Sequence, residues 1–281
     1  MRPQRPRRQA PRLAIFSGIL FGIILVNAEP APAPAWQTLQ PGVEYAVVNV
    51  TPAVDVGDKK LHLVRVDPAR ARLIARLASE TDKQTRTAGQ WCRQSNLALA
   101  INLGMYQEDR LSNVGYLRHG SHTNNPKWSA SYKAAFGFDP QTHGLAPAVM
   151  EDLDQPEAQA RLAPYRSVVQ NLRLIKGEGQ NTWSVSDKRW SEAALAMDAQ
   201  GRVLFLFCRS PFSMWEFNRM LLALPLGIVR AMHLEGGPEA SLSIHAGNIN
   251  LDLCGSYETG FLPKDTNSKQ WAIPNVLGVA K

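Results

Sequence analysis

Residues 193–208 read AALAMDAQGRVLFLFC. Two apolar runs, Ala193–Asp198 and Val203–Cys208, flank the turn Asp198-Ala-Gln-Gly201, a pattern that predicts an antiparallel hairpin. Similar runs lie upstream. Val43–Val50, Leu61–Val66 and Arg72–Ser79 read as strands, the last alternating Leu73, Ala75 and Leu77 with polar neighbours. Leu97–Ile101 (LALAI) is a buried strand too short to form a helix alone. Gly115–Arg118, Ala134–Asp139 and Ser167–Gln170 extend the series, and Ile228–Leu234 follows the hairpin. Two helices are signalled by capping boxes, Thr87-Ala-Gly-Gln90 and Ser213-Met-Trp-Glu216. Behind the second, Phe217, Met220, Leu221 and Leu224 hold helical spacing until Pro225. Residues 151–164 read as an exposed helix or loop. Strands outnumber helices, so the expected class is α+β: a mixed or antiparallel sheet with a few packed helices in a single domain.

The chain has 281 residues, with 31 Lys+Arg against 24 Asp+Glu and a formal charge of +7. Its composition, 44% hydrophobic and 20% charged, excludes a disordered, collagenous or polytopic membrane protein. The surplus charge is concentrated at the N-terminus. Arg2, Arg5, Arg7, Arg8 and Arg12 precede the apolar run Leu13–Val26, with Val26 and Ala28 at the −3 and −1 positions of a cleavage site. Residues 1–28 therefore read as a signal peptide, 29–42 as a Pro/Ala-rich linker, and 43–281 as the folded domain. Cleavage leaves 26 basic and 24 acidic residues, a net of +2 (31 less five Arg, against 24). That removes the electrostatic support for nucleic-acid binding. The expected location is periplasmic or extracellular. The alternative is an uncleaved anchor over 13–26, and any membrane contact is confined to that segment. Cys92, Cys208 and Cys254 are expected as buried small side chains with at most one disulfide.

Phosphate-loop, dinucleotide-binding, zinc-protease and serine-hydrolase motifs are all absent. Two segments carry candidate chemistry instead. Ile101-Asn102-Leu103-Gly104-Met105-Tyr106 places an amide at a strand end, beside a glycine that opens the backbone. His233-Leu234-Glu235-Gly236-Gly237-Pro238-Glu239-Ala240-Ser241 places a carboxylate before two glycines, whose exposed N–H groups suit an anion. Strand alternation puts His233 on the same face as Glu235.

Together these segments resemble the phosphodiester glycosidase family, to which the lysosomal uncovering enzyme belongs. Asn102, Gly104, Met105 and Tyr106 match an N-G-G-M-F-like segment. Leu234, Gly236, Gly237 and Ser241 match an L-D-G-G-x-S-like segment. Val169-Gln170-Asn171, then Arg189 with Ala194–Asp198 and Gly201, follow the family order over roughly residues 60–260. Three departures stand out: Glu235 replaces the usual Asp, Leu103 replaces the first Gly, and Pro238-Glu239 is inserted.

The resemblance implies a hydrolase that cleaves a sugar-1-phosphodiester at the anomeric carbon, in envelope or extracellular glycans such as exopolysaccharide. Such chemistry needs a carboxylate acid, base or nucleophile and a group that holds phosphate. Glu235 is the candidate carboxylate. Arg189 is the candidate phosphate clamp, because a guanidinium matches phosphate oxygens bidentately. Asn102, Gly104, Gln170, Gly236, Gly237, Ser241 and His233 are candidate substrate contacts. Trp128, Trp183 and Trp190 are candidate sugar platforms, while Met105 and Tyr106 read as packing. No organic cofactor is expected. A divalent cation held by Glu235, Asp198 and Asn102 is compatible with the residue types, though no spacing identifies one.

Plainer roles stand beside these: a turn carboxylate (Glu235), a surface ion pair (Arg189), a cap (Asn102), a core histidine (His233) and a polar strand residue (Ser241). The alternative function is a non-catalytic glycan-binding or structural envelope protein on the same scaffold.

Overall fold

The computed structural model describes residues 32–281. The signal-peptide reading over 1–28 and the first residues of the linker lie outside them. In chain order the first strands are β1 (Gln37–Gln40), β2 (Val43–Asn49), β3 (Lys60–Val66) and β4 (Leu73–Leu77). Helix α1 (Ala88–Ser95) leads into β5 (Leu97–Asn102), β6 (Leu117–His119), β7 (His122–Asn125), β8 (Ala134–Pro140) and β9 (Ala148–Asp152). The short α2 (Ala158–Leu162) precedes β10 (Tyr165–Asn171), β11 (Arg173–Gly177), β12 (Gln180–Asn181), β13 (Trp190–Asp198) and β14 (Val203–Phe212). After α3 (Met214–Ala223) come β15 (Ile228–Gly236), β16 (Ser241–Ala246), β17 (Ile249–Cys254) and β18 (Asn275–Ala280).

These strands build three sheets. The largest has the order β1-β2-β3-β14-β13-β15-β11-β12, the others β7-β6-β10-β8-β9 and β17-β16-β5-β18-β4. Their registers are antiparallel, and the β13–β14 hairpin sits near the middle of the largest sheet with Ala194 opposite Leu206. All three sheets turn one face to a shared core, in which Phe205 and Leu195 meet Phe136 and Val169 and also Leu99 and Leu277. Each outer face is covered by one helix. Phe217 and Leu221 of α3 pack on the largest sheet, Trp91 and Cys92 of α1 on the sheet of β5, and Leu162 of α2 on the sheet of β10.

The expected α+β class is therefore corrected. Strands take 46% of the residues and helices 12%, so the described chain is a β-rich fold. The physical reason is that the helices act only as covers, while the core is built by sheet faces. Several strands absent from the sequence-based expectation are short or carry polar side chains, though β18 (NVLGVA) is neither. β7 reads HTNN, β12 has two residues, and β17 (INLDLC) has one face exposed. Both predicted capping boxes form: the Thr87 and Ser213 side chains accept from the N–H groups of Gln90 and Glu216, and each partner side chain bonds back. Cys92, Cys208 and Cys254 are free and buried. Among the described residues, no helix is long and apolar enough to cross a membrane.

Candidate active site

Several strands of two sheets end on one side of the molecule. β15 finishes at Glu235-Gly236 and continues through a 3-10 turn, Gly237–Glu239, into β16. β13 starts alongside, with Glu192 opposite Gly236 and Ala193 opposite Glu235. The register slips between Ala193 and Ala194, where Leu234 is the extra residue. Leu234 stays in the core, while His233 and Glu235 both face a cleft of about 480 Å³. Tyr106, Trp190, Glu239 and Glu258 complete the working walls.

The cleft's geometry starts with Trp190. Its indole lies against Gly236, where a Cβ would fall 2.7 Å from Trp190 Cδ1, so any side chain there would displace the ring. The indole Nε1 donates to Glu192 Oε2 at 2.7 Å, and Glu192 Oε1 meets His233 Nδ1 at 2.7 Å. Glu192 and His233 are both buried. Burial opposes charge on the imidazole, but Glu192 prevails and holds His233 above its usual range. Nδ1 is committed to Glu192, so Nε2 is the nitrogen left for the cleft.

Glu235 accepts from the Gly236 N–H at 3.0 Å. It is half-buried in the cleft wall, and desolvation pushes its pKa up to about 8 against the opposing pull of His233. Glu239 and Glu258 are likewise held above the ordinary carboxylate range, mainly by burial. Glu258 is fixed by paired backbone bonds to Leu262 and by a bridge to Trp190. The site therefore brings together a carboxyl group whose surroundings favour its protonated form, two further carboxyl groups, and an imidazole held by the buried Glu192. This constellation can donate and accept protons around a bound ligand.

The residues singled out in the sequence are divided by the fold. Glu235, His233 and Gly236 line the cleft, and Trp190, Met105 and Tyr106 join them. Gly237 has φ +63° and turns the chain away beneath Glu258. Asn102 is buried: it donates to the Glu239 carbonyl at 3.0 Å and accepts from the Ser241 N–H at 2.8 Å. Ser241 Oγ donates to the same carbonyl at 2.9 Å. These two residues hold the turn that carries Glu239. Gly104, at φ +88°, packs on Asn113. Gln170 spends its whole amide on backbone, accepting from Tyr116 and Ser129 and donating to Ser129 and Tyr132. Arg189 pairs with Glu216 at 2.6 Å, at the N-terminus of α3, and is not part of the cleft lining. Trp128 stacks on Tyr116, and Trp183 meets Trp190 edge-on at 6.5 Å.

Nor do Glu235, Asp198 and Asn102 form a cation site. Asp198 lies at the far end of β13, about 26 Å from Trp190 at ~3.3 Å per residue, and its oxygens bind Arg202 and the hairpin turn. Among the described residues no group of three metal-ligating side chains forms.

Glu192, Glu239 and Glu258 were not identified from the sequence. Glu192 had a signal, an acid directly before the apolar run 193–197; the strand begins three residues earlier than expected and buries it. Glu258 lies in a loop and had none.

Carboxyl groups around an aromatic-walled cleft define a site suited to carbohydrate chemistry. The comparisons make this specific. The phosphodiester glycosidase family matches residues 95–280, well over half the chain, and the chain belongs to that family. Its fold is similar to the zebrafish N-acetylglucosamine-1-phosphodiester alpha-N-acetylglucosaminidase catalytic domain auto-inhibited by pro-peptide. The TM-score is 0.59 at 12% identity, covering 89% of this chain and 87% of that one. A hypothetical protein from Synechocystis gives a TM-score of 0.57 at 15% identity, over 85% of this chain and 62% of its own. At these identities the likeness is one of fold. No curated protein sequence matches the chain.

Proposed function

We propose that the chain is an exported hydrolase that cleaves a sugar-1-phosphodiester in envelope or extracellular glycans, with Glu235 as its acid. The observation that carries this reading is Glu235 facing an aromatic-walled cleft beside His233, where desolvation pushes its pKa up to about 8. Family membership supports the reaction class. Cleavage breaks the bond between the anomeric carbon and the phosphate oxygen. Water supplies hydroxide to the carbon, Glu235 gives its proton to the departing oxygen, and Glu239 or Glu258 takes the proton released by the water. The products are the free sugar and a phosphomonoester. Because Glu235 is neutral before the step, it adds no repulsion against the anionic substrate.

The phosphate role moves from Arg189 to Arg110. Arg189 is committed to Glu216, whereas Arg110, likewise outside the cleft lining, stands on the turn after Tyr106 and has no carboxylate partner among the described residues. Its charge acts on both Tyr106 and Glu239. Hydrolysis of a synthetic sugar-1-phosphodiester by the wild type and by Glu235→Gln tests the reading. Loss of general acid catalysis lowers kcat by about 10²–10⁴-fold. Equal rates for the two proteins remove Glu235 from the mechanism.

A further inference from the structure

A second cleft of about 480 Å³ opens beside β4, the edge strand of its sheet. It is distinct in chemistry from the carboxylate cleft, because its charged lining is dominated by Arg70, Arg72 and Arg76. It is also distinct in place. β4 runs from Leu73 to Leu77, and Leu77 lies opposite Asn275, at the sheet end where Asn102 anchors the Glu239 turn. Arg72 is at the other end.

The three arginines differ from most arginines of the fold. Arg65, Arg86, Arg161, Arg173, Arg202 and Arg209 each meet a carboxylate oxygen within ion-pair distance. Arg118 donates to the Ala163 and Tyr165 carbonyls, Arg230 to the Lys176 carbonyl, and Arg219 lies over Trp215. Arg70, Arg72 and Arg76 have no carboxylate partner among the described residues, and the only side-chain bond among them is from Arg76 to the neighbouring Ala75 carbonyl. The acid in this cleft, Asp139, faces Arg166 at 3.9 Å.

Geometry adds direction. On β4 the residues Leu73, Ala75 and Leu77 enter the shared core, so Arg72, Ile74 and Arg76 share the opposite face. Arg72 and Arg76 are about 13 Å apart along the strand at ~3.3 Å per residue. That spacing lets the two guanidinium groups engage different phosphates of a chain rather than one phosphate between them. Charged side chains also protect an edge strand from unwanted pairing. That role requires neither a cleft nor Arg70, which lies outside β4.

The geometry points to a second binding site, in which Arg70, Arg72 and Arg76 hold separate phosphate groups of one polyanionic chain. A guanidinium is suited to this because its planar fork matches phosphate oxygens. The site is independent of turnover. In combination with the function proposed above, it would hold a phosphate-bearing glycan at a distance from the bond being cut.

The test is titration calorimetry on the mature protein with two probes, orthophosphate and a short linear polyphosphate, at low and at moderate salt. Wild type is compared with Arg72→Ala/Arg76→Ala and with Glu235→Gln. The expected result is saturable polyphosphate binding at least tenfold tighter than orthophosphate and weakened by salt. It falls tenfold or more in the double variant and is unchanged in Glu235→Gln. An unchanged melting temperature shows that the double variant is folded; if it is not, Arg70→Gln serves in its place. Absence of saturable polyphosphate binding, equal affinity for orthophosphate, or binding that survives the arginine substitutions overturns the proposal. A failure of sugar-1-phosphodiester hydrolysis does not bear on this result.

Discussion

Glu235 differs from its ordinary state in a way that affects stability as well as catalysis. Its pKa is raised from 4.5 to about 8 in the folded chain. Between those values the unfolded chain has released the proton and the folded chain retains it. Stability from this group is therefore full below about pH 4.5 and is lost as pH rises towards 8. Glu235→Gln cannot ionise, so its melting temperature should exceed wild type at pH 8 and equal it at pH 4. Thermal melts at the two pH values check this, and an unchanged difference would show that Glu235 is already ionised in the fold. The two arginines make a paired prediction. Arg189→Ala removes a half-exposed ion pair worth less than about 1 kcal/mol and leaves KM unchanged. Arg110→Ala raises KM for an anionic phosphodiester and leaves KM for a neutral aryl glycoside unchanged. Steady-state kinetics on both substrates separates the two residues.

The segment from β15 through the 3-10 turn to β16 is the element on which the site depends. Trp190 lies against Gly236, so Gly236→Ala forces the indole to move; overpacking of this kind costs about 1–3 kcal/mol. The same displacement breaks the Trp190–Glu192–His233 connection, and the variant's tryptophan fluorescence and pH profile should both change. Asn102→Ala leaves the Ser241 N–H and the Glu239 carbonyl short of a partner, at about 1–3 kcal/mol. Urea unfolding measures that loss, and Asn102→Asp, which retains the acceptor, should recover part of it. These elements also show what is legible in the sequence. The β13–β14 hairpin and the two capped helices could be read because their signals are local: a Gly turn between apolar runs, and side chains that satisfy their own backbone. β16 and β18 could not, because both are strands of a sheet whose other members, β5 and β4, lie far away in the chain; β17 was missed although it forms a local hairpin with β16, because Asn250 and Asp252 make it polar. The two site segments were visible from their glycines, and Glu235 with them. Glu192 and Glu258 were not, since only tertiary packing brings them to the cleft.

At the level of the molecule, three sheets share one core, and the ends of strands from two of them surround the site. The acidic cleft and the arginine-lined cleft lie towards opposite ends of one sheet, so the near-even balance of acids and bases over residues 29–281 conceals two strongly different surfaces. Export, as proposed, requires removal of residues 1–28. The mature chain recovered from the producing cell should begin at Glu29 by intact mass, and a chain beginning at Met1 would favour the anchored alternative. The central claim is that the carboxylate cleft is a phosphodiester glycosidase site with a protonated acid. It is tested most directly by the release of free sugar from a synthetic sugar-1-phosphodiester across pH 5–10. The prediction is turnover whose kcat/KM falls as pH rises through about 8, the pKa of Glu235. Absence of free sugar at every pH, or a rate indifferent to pH in that range, would contradict it.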